Sequence, residues 1–391
     1  MRRVKLKEIA EINPRKSEID KDKVELVSFV AMADVSEDGI ISEHETKPLS
    51  EVYKGYTYFR KDDVLLAKIT PCFENGKAAI ADNIPNEIGF GSSEFHVLRT
   101  NGEVIPSFLF YALWNKNFRL TGSKKMTGSA GQKRVPTDFL KNYEIPLPSL
   151  SEQKAIVAKL DRAQRLIDID KEMLVKYDDL IQSVFLEMFG DLVGNPKGWR
   201  KLKLKDFCEF ENGDRSSNYP SGDDIKESGK LFLSSGDIQN GKFTVKDSKF
   251  ISNEKFDSLK RGKCKTGDVL VTLRGSGTGK TAVFDCHYDE GFINAQMVIL
   301  RPDSKCLSEY LVRQLNCPPV FKRLINLNSG SAQPQLSATS LKKFEVLVPN
   351  IEIQKQYERK ARQIEGEKEQ IKTSLKKSEE LFSSLVQGAF G

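Results

Sequence analysis

The chain repeats itself with a period of about half its length, and that constrains its fold more than any other feature. VKLKEIAEI from Val4 returns as LKLKDFCEF from Leu202, an offset of 198 residues. LKNYEIPLPSLSEQK from Leu140 returns without a gap as LKKFEVLVPNIEIQK from Leu341, an offset of 201. Between these blocks, KDDVLL from Lys61 matches TGDVLV from Thr266, NGKAAI from Asn75 matches TGKTAV from Thr278, and GFGSSEFHVLR from Gly89 matches GFINAQMVILR from Gly291. MFG ending at Gly190 answers AFG ending at Gly391, so the chain is expected to stop where its repeat unit stops. A duplicated plan must be solved twice by the same local physics, and 391 residues are too many for one ordinary core.

Each half reads as a mixed globular part, a proline-punctuated connector and a long helical stretch. DVLLAKI, EFHVLRT, DVLVTLR and QMVILRP have the length and β-branched content of strands, whereas PSFLFYALWNKNFRL from Pro106 and LSEYLVRQL from Leu307 have helical spacing. The globular parts are therefore expected to be α+β. The expected boundaries are a first domain over 1–148, a central helical spacer over 149–190, a second domain over 199–348 and a C-terminal helical spacer over 349–391.

After Pro148, with Ser151 as the expected cap or first-turn residue, an apolar stripe steps through Ile156, Leu160, Ala163, Ile167, Asp170, Leu174, Tyr177, Ile181, Val184 and Met188. The second copy runs through Tyr357, Ala361, Ile364, Lys368, Ile371, Leu375, Ser378, Phe382, Leu385 and Ala389. A step of 3.5 residues held over five heptads, with charged opposite faces, is a coiled-coil seam. The plainer reading is a pair of amphipathic helices packed on their domains. Connectivity orients them: the second domain is tied to the end of one helix and the start of the other, so the two helices should pair antiparallel. The first domain would then sit about 60 Å away at the far end. Asp170 and Lys368 break the stripes and are candidates for setting the register.

No apolar run approaches the roughly 20 residues that cross a bilayer. Met1-Arg2-Arg3 leads into charged residues, so neither a secretory leader nor a membrane anchor is expected, and the cytoplasm is the expected compartment. Six cysteines without a CxxC pair and three scattered histidines argue against structural zinc. A net charge of +6 leans toward an anionic partner but is too mild to decide the matter, so local clustering has to.

Such clustering occurs at the same place in both halves. KNFRLTGSKKMTGSAGQKR supplies Lys116, Arg119, Lys124, Lys125, Gln132, Lys133 and Arg134; FKRLINLNSGSAQPQ supplies Lys322, Arg323, Asn326, Asn328, Gln333 and Gln335. Neither contains an acid. Lys and Arg position a phosphate backbone, Arg, Asn and Gln pair with base edges, and Gly and Ser allow a loop to approach closely. A solvated surface loop is the plain alternative for either one alone. The turn after each DVL strand is a second candidate: KITPCFENGK offers Lys68, Asn75 and Lys77, and TLRGSGTGKT offers Arg274, Ser276, Thr278 and Lys280. The latter invites comparison with a nucleotide-binding P-loop in an ATP-dependent enzyme using Gly275–Thr281. The spacing fails, because Arg274 stands where that motif requires its first glycine. NCPPV from Asn316 is interrupted by Cys317 and reads as a helix break. No carboxylate cluster or nucleophile pair gives catalysis an address.

With its duplicated halves, the PLPSLSEQKAIV and VPNIEIQKQYE connectors, the helices ending in MFG and AFG, and the GSAGQ and SGSAQ loops, the chain resembles the specificity subunit of type I restriction-modification enzymes. The resemblance covers essentially the whole chain. It implies two similar α/β target recognition domains, each reading one half of a bipartite, asymmetric double-stranded DNA sequence, joined by two long antiparallel helices in a pseudo-two-fold repeat. It implies no cofactor on this chain and no catalysis by it. Two methyltransferase subunits using S-adenosylmethionine would dock on the helices, and a restriction subunit using ATP and Mg would translocate and cut. One departure is that Ile353 stands where the connector usually has glutamate, implying a weaker or differently satisfied docking surface. A DNA-independent coiled-coil adaptor is the other class of reading.

Overall fold

The structure is a computed structural model that describes residues 2–129, 131–239, 241–245, 248–275, 277–327 and 335–391. It divides into two compact units, Met1–Met173 with Ile371–Gly391, and Leu174–Gln370.

In unit 1, strands Ala10–Ile12, Phe95–Thr100, Val64–Ala67 and Ala78–Ile80 lie side by side in that order, all antiparallel. Val64–Ala67 is buried throughout, which explains its unbroken apolar run: a strand covered on both faces has no polar side to show. Its side chains alternate, with Val64 and Leu66 joining the core that includes Phe108 and Phe118, while Leu65 faces the core that includes Phe59 and Phe95. A second sheet orders Glu45–Pro48, Leu26–Val30, Ile88–Gly91 and Thr57–Arg60, with the middle pair parallel. Unit 2 repeats the first sheet strand for strand as Cys208–Asn212, Met297–Pro302, Val269–Thr272 and Thr281–Val283. Its second sheet has five strands. All four expected strands and both expected helical regions are present, but PSFLFYALWNKNFRL forms two helices, Pro106–Trp114 and Lys116–Ser123, separated at Asn115.

The long helices span Leu150–Phe189 and Ile351–Phe390. Ser149 caps the first, with Ser151 in its first turn: the Glu152 carboxylate accepts from the Ser149 backbone N–H at 2.9 Å and the Glu152 N–H donates to Ser149 Oγ at 3.4 Å, the reciprocal arrangement of a capping box. In the second copy Asn350 Oδ1 accepts from the Glu352 N–H at 2.9 Å, and Ile353, at the position of Glu152, packs on the core of unit 2 instead. The departure in the second connector thus exchanges a cap residue for an apolar contact.

The glutamine shared by both connectors has a definite task. Gln153 is fully buried, accepts from Ile105 N–H at 2.9 Å, and donates to Glu103 O at 2.9 Å and Pro148 O at 3.0 Å. Gln354 is equally buried and makes the same three bonds with Leu307, Lys305 and Pro349 at 2.9, 2.9 and 2.8 Å. Each glutamine ties the first turn of a long helix to the loop before a domain helix. Gln354→Ala strands one buried donor and two acceptors, each costing about 1–3 kcal/mol if unsatisfied. We expect a loss of several kcal/mol in urea unfolding, with early hydrogen exchange at Leu307; a loss near zero would mean that the latch contributes nothing.

Within each unit the helix segments run antiparallel. In unit 1, Ser378 Oγ donates to Asp170 at 3.4 Å, while Tyr111 meets Asp161 through its hydroxyl and Phe382 through its ring. In unit 2, Lys368 pairs with Asp178, and Tyr357 meets Phe185 and Phe189 edge to face. The stripe residues are buried or half-buried: Ile156, Leu160, Ile167, Ile371, Leu375, Phe382 and Leu385 in unit 1, and Leu174, Ile181 and Ile364 in unit 2. Lys368 thus has an ionic partner on the other helix, and Asp170 a hydroxyl donor.

Candidate nucleic-acid interface

The two candidate segments of each half, far apart in sequence, are joined by backbone bonds. In unit 1 the turn after Val64–Ala67 meets the return of the glycine-containing loop: Thr70 N–H donates to Lys133 O at 2.9 Å, Val135 N–H to Lys68 O at 2.8 Å, and Arg134 bridges Ile69 and Thr127. In unit 2 the turn after Val269–Thr272 meets the corresponding segment in the same way: Leu336 N–H donates to Leu273 O at 2.7 Å, and Arg274 bridges Gln335. Each unit therefore presents one composite surface built from a strand-end turn and a basic segment.

Part of each basic segment is helical, as expected for the start of the first and in place of a loop at the start of the second. Lys116 and Arg119 lie in Lys116–Ser123, and Lys322 and Arg323 in Pro318–Ile325, with Asn326 capping its end. Arg119 is half-buried, donates to Glu74 O at 3.0 Å, and has its affinity for the proton lowered by burial.

Lys124, Lys125, Gln132 and Lys133 are exposed in unit 1, as are Arg274, Lys280, Lys322, Arg323 and Gln335 in unit 2. Arg323 also lies over the Phe344 ring at 5.7 Å. Other candidates already have partners within the chain. Lys68 Nζ donates to Ser93 O at 2.6 Å, Lys77 Nζ to Met32 O at 3.2 Å, and the Asn75 amide to Glu37 at 2.7 Å. Thr278 is buried, and its hydroxyl donates to Gly275 O at 2.7 Å. Arg134 forks onto Glu94 at 2.9 and 2.8 Å. That fork, helped by Lys68, holds the Glu94 carboxyl below its ordinary range, and Glu94 in turn raises Arg134. Ser276, Asn328 and Gln333 lie outside the described residues.

Gly275–Thr281 does not have the surroundings of a P-loop. A phosphate cradle runs from a strand into a helix N-terminus, but here strand Val269–Thr272 is followed by its antiparallel partner Thr281–Val283. NCPPV also resolves plainly: one helix ends at Asn316 and the next begins at Pro318. Among the described residues no group of three or more His, Cys, Asp or Glu is placed to hold a metal ion, and no helix is long and apolar enough to cross a membrane.

Sequence reasoning missed Glu94 and His96, which support this surface from below. His96 is buried, with Nε2 at 2.8 Å from Val135 O and Nδ1 at 3.2 Å from the Asn13 amide. Those partners fit a neutral ring donating through Nε2 and accepting at Nδ1. Burial, reinforced by Lys68, pushes its pKa below the ordinary 6.5, against the pull of Val135 O and Glu94. Between that depressed value and 6.5 the unfolded chain binds more protons than the folded one, so stability rises with pH in that window. Unit 1 therefore holds its full His96 contribution above the unfolded value and loses it as pH falls toward the folded one. Thermal midpoints of the native chain should drop between about pH 7 and about pH 5 more steeply than those of His96→Gln. Parallel profiles would remove His96 as the cause.

The sequence profile of the type I restriction modification DNA specificity domain matches residues 1–176 and again 196–377, once per repeat. The chain belongs to that family. The type I restriction enzyme EcoAI specificity subunit of Escherichia coli is 43% identical over 177 residues, a stretch that covers 44% of this chain and 30% of that relative. Two solved structures share the fold over nearly the whole chain. One, from work on complex assembly and conformational transition of the type I R-M system, superposes with a TM-score of 0.64 at 21% identity, covering 99% of this chain and 97% of its own. The other, the S subunit of the type I restriction-modification system from M. genitalium, gives a TM-score of 0.57 at 15% identity, covering 100% and 96%.

Proposed function

We propose that the chain is the non-catalytic DNA-recognition subunit of a type I restriction-modification complex, in which each unit reads one block of a split, asymmetric duplex target. The observation that carries this reading is the composite surface, assembled from equivalent segments by equivalent backbone bonds in both units. Exposed Lys124, Lys125 and Lys133 suit phosphate contacts, while Gln132, Arg274 and Gln335 have the donors and acceptors that read base edges. Methyltransferase subunits carrying S-adenosylmethionine dock along the long helices in this reading, and a restriction subunit with ATP and Mg completes the assembly.

Selection from random duplexes with the assembled methyltransferase should return two short blocks separated by a fixed unspecific spacer. One contiguous block overturns the proposal. Replacing Lys124, Lys125 and Lys133 together with alanine should flatten the salt dependence of binding by about one unit of slope per lost contact, without altering the selected bases. Arg274→Ala should relax one position in one block, at a cost of about 1–3 kcal/mol. Arg134 is the contrasting control: its loss should affect stability, because its fork is spent on Glu94.

A further inference from the structure

Unit 2 contains a cleft that the recognition surface does not use. It is a cavity of about 540 Å³ between the domain helix Ser308–Asn316 and the start of the long helix Ile351–Phe390, roofed by residues 241–243. The equivalent ground in unit 1 is more closely filled, leaving a cavity of about 260 Å³ beside Tyr111 and Trp114. Helix Pro106–Trp114 carries Phe110, Tyr111 and Trp114, whose rings pack on one another, with Tyr111 and Trp114 also meeting Phe382. The matching positions of unit 2, 202 residues on, are Val312, Arg313 and Asn316, all of which line the cleft. Replacing aromatic side chains with smaller or longer polar ones leaves volume unfilled, which a well-packed interior rarely tolerates without an occupant.

The charges around the cleft are unevenly matched. Lys242 and Arg313 both bind Glu365, at 2.6 and 3.2 Å, and Arg362 binds Glu358 at 2.7 Å. That engages every cation of the lining. Two lining carboxylates, Asp285 and Glu309, have no ion pair among the described residues. Glu309 is pushed up first by burial and further by the neighbouring charge of Asp285, against the pull of Arg313. Independently, the Tyr357 hydroxyl, another lining group on a side chain only 1% exposed, is buried without a hydrogen-bond partner among the described residues. A phenol in such a place normally has a partner.

We propose that this cleft binds a small organic cation, a primary ammonium or guanidinium on a short apolar stem. The cationic head meets Glu309 and Asp285, the stem lies on Val312 and Ala361, and a polar group reaches the Tyr357 hydroxyl. The volume falls within the range of small-molecule sites, and the imbalance selects a cation over an anion or a neutral alcohol. The site is independent of DNA reading and would stand if that reading failed.

The test is calorimetric titration of the full chain with agmatine and with 1,4-diaminobutane, using butyrate and n-butanol as controls. Saturable binding of at least one cation is expected, with neither control binding. The isosteric variants Glu309→Gln and Asp285→Asn should weaken it at least tenfold and several-fold. The double change Val312→Phe with Asn316→Trp, copying the filling of unit 1, should abolish it. If that variant fails to fold, the two isosteric ones decide. Absence of saturable cation binding, equal binding of butyrate, or affinity unchanged in both isosteric variants overturns the proposal.

Discussion

Asp268→Ala should destabilise unit 2 by about 3–5 kcal/mol, the usual cost of removing one partner from a buried ion pair. The Asp268 side chain is 4% exposed and receives Arg301 through Nε at 3.0 Å and Nη2 at 3.0 Å, while the Lys265 N–H donates to it at 3.0 Å. Arg301 also reaches Glu211 at 2.6 Å and the Lys263 carbonyl at 2.9 Å. Burial works against its charge, but the carboxylates more than offset this and hold the guanidinium above its ordinary range. Removing Asp268 leaves that guanidinium short of its main partner and the Lys265 N–H without one. Unit 1 carries the same device in Arg99, Asp63 and Glu18, so Asp63→Ala should act on unit 1 alone. Hydrogen exchange resolved by segment would separate the two, and a uniform effect across both units would contradict this account. Replacing Asp268 and Arg301 together with Leu and Met should cost less than Arg301→Met alone, because the buried Asp268 carboxylate is then not left without its cation, while Glu211 loses its partner in both cases.

Phe189→Ala should cost a comparable amount, about 3–5 kcal/mol, by opening a cavity where a long helix seals its unit. Phe189 is fully buried, with ring centroids 4.7 Å from Tyr310, 4.9 Å from Phe185 and 5.5 Å from Tyr357. Its backbone carbonyl also accepts from the Trp199 indole at 2.8 Å. Phe390 plays the same part in unit 1 against Phe108 at 4.9 Å. Thermal unfolding of Phe189→Ala and Phe189→Leu would check the prediction: leucine should recover part of the loss, and a loss below about 1 kcal/mol for alanine would show that the site collapses around the hole.

The helices were legible in the sequence because a period of 3.5 residues survives any detail of packing. The stripe included the buried Leu160, Ile181 and Tyr357, but other buried positions were missed. Val157, Phe185, Val386 and Phe390 lie beside the stripe rather than on it, because each segment packs on a domain helix as well as on its partner, which widens the apolar face. The basic segments were legible from composition, whereas their junction was not. It depends on bonds such as Thr70 to Lys133 and Leu336 to Leu273, which join residues roughly 60 positions apart and leave no local pattern. The fate of Arg134 was hidden for the same reason, since Glu94 stands on a different strand connection. Ser149 was not singled out as the cap because it and Ser151 are both serines near Pro148; the Glu three residues after Ser149 was the signal that could have decided it.

The division of each long helix between the units bears on how the chain is made. Unit 2 is one continuous run, Leu174–Gln370, whereas unit 1 needs Ile371–Gly391 to finish it. Phe382, Val386 and Phe390 pack with Phe108 and Tyr111, yet they are translated after every residue of unit 2. At the ribosome, the half that begins first is therefore completed last, and until then its apolar flank depends on chaperones or chance for cover. A chain truncated after Gln370 should show a protease-resistant second unit and a first unit still open to cleavage.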